Sequence, residues 1–437
     1  MKRLTRTEKS WVLYDWANSV QSTVIATAIF PLWFGQVARN GGLSDTQATF
    51  WLGTANTVYA VIIALFAGFL GTLSDLPGNR KRLFVRFWAL GVSAVAAMIF
   101  VGNDQWGLAL LLYILCFLGY SSANIVYDAT LPSITTPERM DMVSSLGFGY
   151  GYIGGSTIPF VLSLAVIALL SGMNLSNGLP TLGVKFSFAL TALWWGLFSI
   201  PFIRHLPPGE VSVYQGRASW KAGFHRLVKT FRRIREHKRV VLFLIAYFFY
   251  IDGVNTIIKM ASNFADSLGV SFMILLGVLV GIQILAFPFT LLYGRLAGRF
   301  GAKTMLFVGI GVYTLITALG TAMPLVPEGA VVPVFLTVAL LIASSQGGIQ
   351  ALSRSYYASL IPHADSSGEF FGFYNTMGKF AAILGPFLMG ALPRFAVVLG
   401  LANEKHSYSF GAAAILLLFI VGGVLLARTA QDSSSSV

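Results

Sequence analysis

Long runs of apolar residues, separated by short polar gaps, recur along the whole chain. A helix needs about 20 apolar residues to cross the hydrocarbon core of a bilayer, and twelve runs reach that length. The pattern therefore predicts an all-α membrane protein with twelve transmembrane helices. The predicted spans are residues 10–36, 48–73, 81–102, 107–132, 141–171, 183–204, 240–265, 271–297, 303–323, 330–360, 367–393 and 408–428.

The longest polar gap divides these helices into two sets of six. We therefore predict a six-helix bundle at 1–204, a basic linker at 205–238, a second bundle at 239–428 and a disordered cytoplasmic tail at 429–437. Within the linker, aromatic and leucine residues are interleaved with the cations at helical spacing, which predicts an amphipathic helix on the membrane surface. A solvated linker that only sets topology is the alternative.

Composition and charge agree with a membrane protein. The chain is 56% hydrophobic and 11% charged, whereas soluble domains carry about 25% charged residues. The net charge of +13 does not indicate a nucleic-acid partner, because the basic residues lie between the apolar runs. Most of them flank alternate runs, which predicts that both termini are cytoplasmic. We expect a multi-pass protein of the bacterial cytoplasmic membrane that contacts lipid.

Residues typical of enzymes and metal sites are sparse. Cys116 stands alone in an apolar run, and the five histidines show no metal-ligand spacing. The glycine-rich stretch from Gly147 to Gly155 lacks the lysine-serine pair of a phosphate loop. Its glycines instead predict close helix packing and bending, and Gly385-Pro386 predicts a matching hinge. We expect no catalytic residues, no metal and no cofactor.

Two acids occupy matching places in the two halves. Asp15 and Asn18 are three residues apart in the first predicted helix, and Asp252 and Asn255 repeat this spacing in the seventh. Each pair shares one helix face. A carboxylate within a membrane is costly, so it usually has a function or a partner. We hypothesise that these residues carry protons or line a cavity, with Asp252 the favoured carrier; static pairing with a neighbouring helix is the alternative.

Further polar residues lie deep in other predicted helices. Asn124 and Asp128 share a face of the fourth, Arg354 lies in the tenth and Lys379 in the eleventh. A guanidinium suits bidentate capture of an anionic group. We therefore expect Asn124, Arg354 and Lys379 to bind substrate and Asp128 to belong with the proton-coupling residues. Pairing of the two cations with Asp252 or Asp128 is the alternative. Lys259 is predicted to form a gate ion pair with Asp266 or to reach the membrane interface.

A glycine pattern follows the second and the eighth predicted helices. The first copy contains Gly71, Asp75, Gly78 and Arg80, and the second contains Gly294, Gly298 and Gly301. This pattern resembles the signature loop of the major facilitator superfamily, in which the loop acts as a latch between inward and outward states. The resemblance implies two pseudo-symmetric six-helix bundles whose helices 1 and 7 line a central cavity. Gly298 replaces the acid in the second copy, which predicts a weaker latch there.

A narrower resemblance spans nearly the whole chain. Four segments carry it: residues 14–19 (YDWANS), 246–255 (AYFFYIDGVN), 347–357 (GGIQALSRSYY) and 369–379 (EFFGFYNTMGK). They are similar to the family of the fungal vacuolar amino-acid effluxer linked to autophagy and its bacterial members. The resemblance implies a monomeric transporter that works by alternating access on a small-molecule substrate.

The resulting functional hypothesis is export of a small polar or zwitterionic metabolite, with amino acids the expected cargo and protons the expected coupling ion. Efflux of amphipathic drugs or lipids is the alternative within transport. A membrane sensor or scaffold that does not transport is the alternative of another class. Costly charges within the membrane argue against that last class.

Overall fold

A computed structural model describes residues 3–76, 78–172, 178–207, 236–267, 272–362, 367–381, 384–401 and 404–429. Twelve helices in these ranges are long and apolar enough to cross a membrane, which confirms the predicted fold class. Most of the linker at 205–238 and nearly all of the tail at 429–437 lie outside the described residues, as do the side chains of Lys259 and Asp266.

The twelve helices, numbered in chain order, have the following bounds. They are α1 (Arg6–Asn40), α2 (Asp45–Ser74), α3 (Asn79–Phe100), α4 (Trp106–Ala129), α5 (Pro137–Ser171), α6 (Thr181–His205), α7 (Lys238–Ser267), α8 (Phe272–Phe300), α9 (Ala302–Ala322), α10 (Glu328–Leu360), α11 (Ser367–Phe380 continuing at Leu384–Val398) and α12 (Glu404–Ala427).

Local capping explains why several helices begin earlier than the apolar pattern predicts. Thr5 and Glu8 form a reciprocal capping box, so α1 begins at Arg6 instead of residue 10. Ser44 and Gln47 form a second box at the start of α2. Such boxes satisfy backbone N–H groups that the first helical turn leaves without partners. In α5, Pro137 occupies the first turn, where its missing N–H costs nothing.

The described helices group into two compact units. The first contains Met1–Thr136, Leu146–Phe224 and His363–Gly372, and the second contains Pro137–Ser145, His225–Pro362 and Phe373–Val437. Each unit therefore includes a short segment from the other half of the sequence: the first turns of α5 belong to the second unit, and the start of α11 belongs to the first.

The same helix pairs form in both units at an offset of six helices. In the first unit α1 packs on α6, α2 on α4, and α3 on α4. In the second unit α7 packs on α12, α8 on α10, and α9 on α10. This internal repeat is the structural counterpart of the duplicated sequence pattern.

Candidate functional site

A ladder of contacts between α1 and α4 forms the polar centre of the first unit. At one end the Trp11 indole N–H donates to the Tyr127 carbonyl, and the Tyr127 hydroxyl donates to the Trp11 carbonyl, each over 3.2 Å. The two rings stack with centroids 4.4 Å apart. One turn below, Thr135 donates to the buried Glu8 carboxylate over 2.7 Å. These contacts fix the register of α1 against α4.

Hydrogen bonds between polar side chains continue the ladder into the membrane-spanning part. The Asn18 amide donates to the Asn124 side-chain oxygen over 2.8 Å, and the Ser22 and Tyr120 hydroxyls lie 3.1 Å apart. Because residue numbers rise along α1 as they fall along α4, the two helices run antiparallel at these rungs.

This register places Asp15 and Asp128 at one level of the ladder. Each lies one helical turn from the rung of Asn18 with Asn124, toward Trp11 on α1 and toward Tyr127 on α4. Their side chains are 8% and 9% exposed. This end of the ladder therefore holds two buried acids one turn away from a hydrogen-bonded pair of amides.

The structure thus brings together four residues that the sequence singled out, from two helices about 110 positions apart. It also adds Ser22 and Tyr120, which the sequence interpretation missed. A signal for both was present: residues 15, 18 and 22 follow one face of α1, and residues 120, 124 and 128 follow one face of α4.

In the second unit, Asp252 is 0% exposed in the middle of α7. Its carbonyl oxygen and the Thr256 side chain lie beside Gly385 of α11, where a Cβ atom would meet the Thr256 hydroxyl. Tyr250, two residues earlier, hydrogen-bonds to Ser353 of α10 over 2.7 Å. Asn255 is only partly buried. The predicted hinge at Gly385 therefore coincides with the closest approach of α11 to α7.

An aromatic column stands on the N-terminal side of Asp252 along α7. Tyr374 of α11 stacks on Tyr247 of α7 with centroids 4.3 Å apart and on Tyr357 of α10 at 4.9 Å. Phe243 extends the column against Tyr357 at 5.8 Å. In the sequence repeat, Tyr357 of this column corresponds to Tyr127 of the first unit.

Arg354, an expected substrate ligand, is 3% exposed and contacts α5. Its Nε donates to the Ser144 hydroxyl over 3.0 Å, and its Nη2 donates to the Ser144 carbonyl over 3.2 Å. The neighbouring Ser355 hydroxyl donates to the Asp141 carboxylate over 2.5 Å. The guanidinium therefore ties α10 to the first turns of α5. Lys379 is partly buried in the last turn of the first section of α11.

The loop after α2 contacts the start of α11 within the first unit. The Gly368 and Glu369 backbone N–H groups donate to the two Asp75 carboxylate oxygens, each over 2.9 Å. Arg80 lies 3.5 Å from the same carboxylate. Burial raises the pKa of the Asp75 carboxyl to about 7, while the Arg80 guanidinium and the two backbone donors act in the opposite direction. Asp75 thus caps α11.

The second copy of the glycine pattern repeats a positive-φ glycine but not the cap. Gly78 and Gly301 have φ of 73° and 86°, which glycine adopts without steric cost, whereas their ψ angles differ, at −3° and 145°. Gly71 abuts the Gly368 carbonyl, whereas Gly294 abuts Ser145 of α5, where a Cβ atom would lie 2.6 Å from the serine Cβ. Nothing lies within 4 Å of a Cβ atom at Gly298, so this copy packs closely but offers no carboxylate.

An apolar cavity of about 70 Å³ lies within the second unit. Residues of α7, α9, α10, α11 and α12 line it, among them Thr256, Ile316, Phe335, Met389 and Ile415. Within the described ranges, no group of His, Cys, Asp and Glu side chains has a metal-binding arrangement.

The comparisons with known proteins agree with this architecture. Residues 46–436 match the model of the family described as "Vacuole effluxer Atg22 like". The chain belongs to this family. The "Uncharacterized MFS-type transporter YxiO" of Bacillus subtilis is 42% identical over 437 residues, covering 100% of this chain and 98% of that protein. "Autophagy-related protein 22" of Eremothecium gossypii is 22% identical and covers 95% of this chain and 88% of that protein.

Solved structures of major facilitator transporters share the fold of this Atg22-like chain. A bacterial homologue of the iron transporter ferroportin, crystallised in an outward-facing state with soaked iron, aligns with a TM-score of 0.68 at 15% identity, over 98% of this chain and 99% of that one. The proton:xylose symporter XylE aligns with a TM-score of 0.66 at 15% identity, over 95% and 93%. Family and fold together make this chain a multi-pass secondary transporter.

Proposed function

We propose that this transporter exports small zwitterionic metabolites, amino acids above all, by alternating access coupled to protons. The observation that carries the proposal is the ladder between α1 and α4, where Asn18 bonds to Asn124 beside the level of Asp15 and Asp128. Amides and carboxylates together match a cargo that has both an ammonium and a carboxylate group. The family's description as effluxers supports the direction.

Proton coupling follows from the position of the acids. Asp15, Asp128 and Asp252 are each less than 10% exposed. A carboxylate inside a membrane is costly and commonly marks an ion or proton pathway. If one conformation of the transporter buries such a carboxyl with its proton and the other exposes it to water, each transport cycle would move a proton as well as the cargo.

Arg354 receives a different role from the one expected of it. Its bonds to Ser144 support a structural role in joining α10 to α5. The substrate roles of Lys379 and of Asn124 stay separate predictions, one in each unit. An Arg354→Lys change tests the structural role of Arg354, because lysine keeps the charge and loses the forked geometry. We expect it to reduce stability more than substrate affinity.

The test uses purified protein in proteoliposomes loaded with a radiolabelled amino-acid mixture, with an imposed pH gradient. Efflux is measured for the wild type, Asp15→Asn, Asp128→Asn and Asp252→Asn. Asp45→Asn is the matched control, because Asp45 is 77% exposed in an ion pair with Arg39. We expect gradient-driven efflux in the wild type and the control, with at least about tenfold loss in one or more membrane variants. An efflux rate that does not depend on the pH gradient would refute proton coupling.

A second candidate function is efflux of amphipathic drugs or lipids. The apolar cavity of the second unit supports it, because its lining offers almost no polar surface to a zwitterion. The same proteoliposomes distinguish the two candidates when amphipathic cations replace the amino acids. Flux of the cations alone would establish this second candidate. Absence of flux with either class, in protein that is correctly folded, would favour a sensor or scaffold.

A further inference from the structure

Helices α1 and α5 each contain a π-helical segment. The first spans Gln21–Ala28 and the second spans Gly151–Thr157. The two segments contact each other within the first unit. π-Helical turns are rare, are usually single turns, and often occur at functional sites. Two adjacent segments of seven or eight residues therefore need a physical explanation.

A threonine at the end of each segment supplies part of that explanation. The Thr27 hydroxyl donates to the Ser22 carbonyl over 2.9 Å, and the Thr157 hydroxyl donates to the Tyr152 carbonyl over 2.8 Å. Both bonds reach back five residues, which is the spacing of a π-helix. In ordinary α-helix the reach is four residues, as in the 3.0 Å bond from Thr57 of α2 to Gly53.

Small residues then connect the π segment of α5 to the turn that carries Asp15. Cβ atoms at Gly151 and Gly155 would lie 2.5 and 2.6 Å from the Ser19 side chain, so only glycine lets the helices approach this closely. The Ser156 hydroxyl donates to the Ser19 carbonyl over 3.4 Å, and the Ser19 hydroxyl donates to the Asp15 carbonyl over 2.7 Å. The π segment of α5 therefore packs directly against the turn of α1 that follows Asp15.

The π segment of α1 separates two sets of contacts with α4. On one side Ser22 forms a rung through its bond to Tyr120, and its carbonyl accepts the hydroxyl of Thr27. On the other side the helix continues as Ile29–Asn40, where Phe30 stacks on Tyr113 of α4 with ring centroids 4.6 Å apart. A π turn holds one more residue than an α turn, so its loss would rotate one part of α1 against the other by about 100° and shift it by about 1.5 Å.

We propose that Thr27 and Thr157 are positioning residues, which hold the paired π segments and so set the register of Asp15 and Asn18 against the outer part of α1. The proposal rests on the transport function proposed above. It predicts that the two segments act as one unit: loosening either should loosen both, and should alter how the cargo binds.

The experiment combines hydrogen–deuterium exchange with transport kinetics. Thr27→Val and Thr157→Val remove the hydroxyl at nearly constant volume, and Thr27→Ser and Thr157→Ser restore it. Thr57→Val is the matched control, because its hydroxyl bond lies in ordinary α-helix. Exchange is followed in peptides covering residues 21–28 and 151–157. In proteoliposomes, KM and the maximal rate are measured for the exported amino acid.

Either valine variant should raise exchange about tenfold in both segments, and each serine variant should restore it. The control should leave both segments unchanged. KM should rise about tenfold while the maximal rate changes less than about twofold, since the cargo meets a displaced Asp15. Exchange that rises only in the mutated helix, or fails to recover with serine, would overturn the inference.

The two proposals fail in different ways. Wild-type protein that moves no amino acid, yet shows coupled exchange in the two segments, would reject the proposed cargo and retain the positioning role. The opposite result is normal amino-acid efflux by the wild type together with valine variants whose hydrogen exchange and KM equal those of the wild type. It would retain the proposed cargo and reject the positioning role.

Discussion

At the scale of single residues, the polar centre of the first unit depends on a few buried hydrogen bonds. Asn18 and Asn124 bond to each other across two helices, and Asn18 is itself buried. A buried amide without a partner costs about 1–3 kcal/mol, so each amide stabilises the fold mainly because the other is present. This reciprocity makes the pair measurable.

Replacing either amide should therefore destabilise the protein and impair export. Asn18→Ala and Asn124→Ala should each lower the free energy of unfolding by about 1–3 kcal/mol. The double variant should cost less than the sum of the two, because the second change removes a group already left without its partner. Thermal unfolding in detergent measures this cycle. Asn103→Ala, at an exposed position, is the control, and strict additivity would contradict the pairing.

Gly71 is a second position where one added atom, the Cβ of an alanine, should weaken a helix contact. A Cβ atom there would collide with the backbone carbonyl of Gly368 in the first unit. Backbone cannot move aside as a side-chain end can, so we expect Gly71→Ala to weaken the contact between α2 and the start of α11 by about 1–3 kcal/mol.

Hydrogen exchange at the first turn of α11 should reveal this weakening. Gly53→Ala, in the same helix with nothing within 4 Å of the added atom, should leave exchange unchanged. Equal effects of the two substitutions would mean that helix propensity, and not the collision, governs Gly71.

At the scale of elements, the cap on α11 is the contact most sensitive to pH. Asp75 accepts two backbone N–H groups from the first turn of α11. Burial raises the pKa of its carboxyl to about 7, against about 4 for a hydrated aspartate. The buried arrangement therefore holds the proton more tightly than any arrangement that hydrates Asp75.

Linkage gives the sign of the pH effect. The buried arrangement of Asp75 is favoured most below about pH 4, loses this advantage as the pH rises from about 4 to about 7, and changes little above about 7. Intrinsic-rate-corrected hydrogen exchange at the start of α11 should accordingly increase as the pH rises through this range. Asp75→Asn cannot ionise, so its exchange should be flat with pH. A variant that keeps the wild-type pH dependence would assign the effect to another group.

The elements also show where local sequence is sufficient. The apolar runs predicted all twelve helices, because hydropathy is a local property of the sequence. The π segments escaped prediction. The glycines of α5 indicated bending, but a π turn depends on which neighbour holds it, and Ser19 approaches from another helix.

At the scale of the whole molecule, the predicted topology has both termini in the cytoplasm. The basic residues around α1, the linker and the loop after α2 carry this prediction. In a Cys116→Ser background, single cysteines at Asp104 and at Lys81 test it with an impermeant thiol reagent applied to intact cells. The variant at 104 should label from outside, and the variant at 81 should label only after lysis.

The amino-acid sequence alone determined the class, the number of helices, the repeat and the acids that the membrane makes costly. These follow from composition and from patterns within about 20 residues. Tertiary structure decided the partners. Asn18 meets Asn124, which is 106 positions away, and Asp75 meets Gly368, which is 293 positions away. Arg354 binds Ser144 at a separation of 210 residues.

No local pattern specifies such partners. The sequence of a helix gives the residues on each of its faces, but it does not give the helix that packs against that face. For the ladder of α1 and α4, residue spacing predicted which side chains share a face of each helix, but not that the two faces meet. The cap of α11 by Asp75, the anchoring of Arg354 on α5 and the paired π segments required the packing of helices that are distant along the chain.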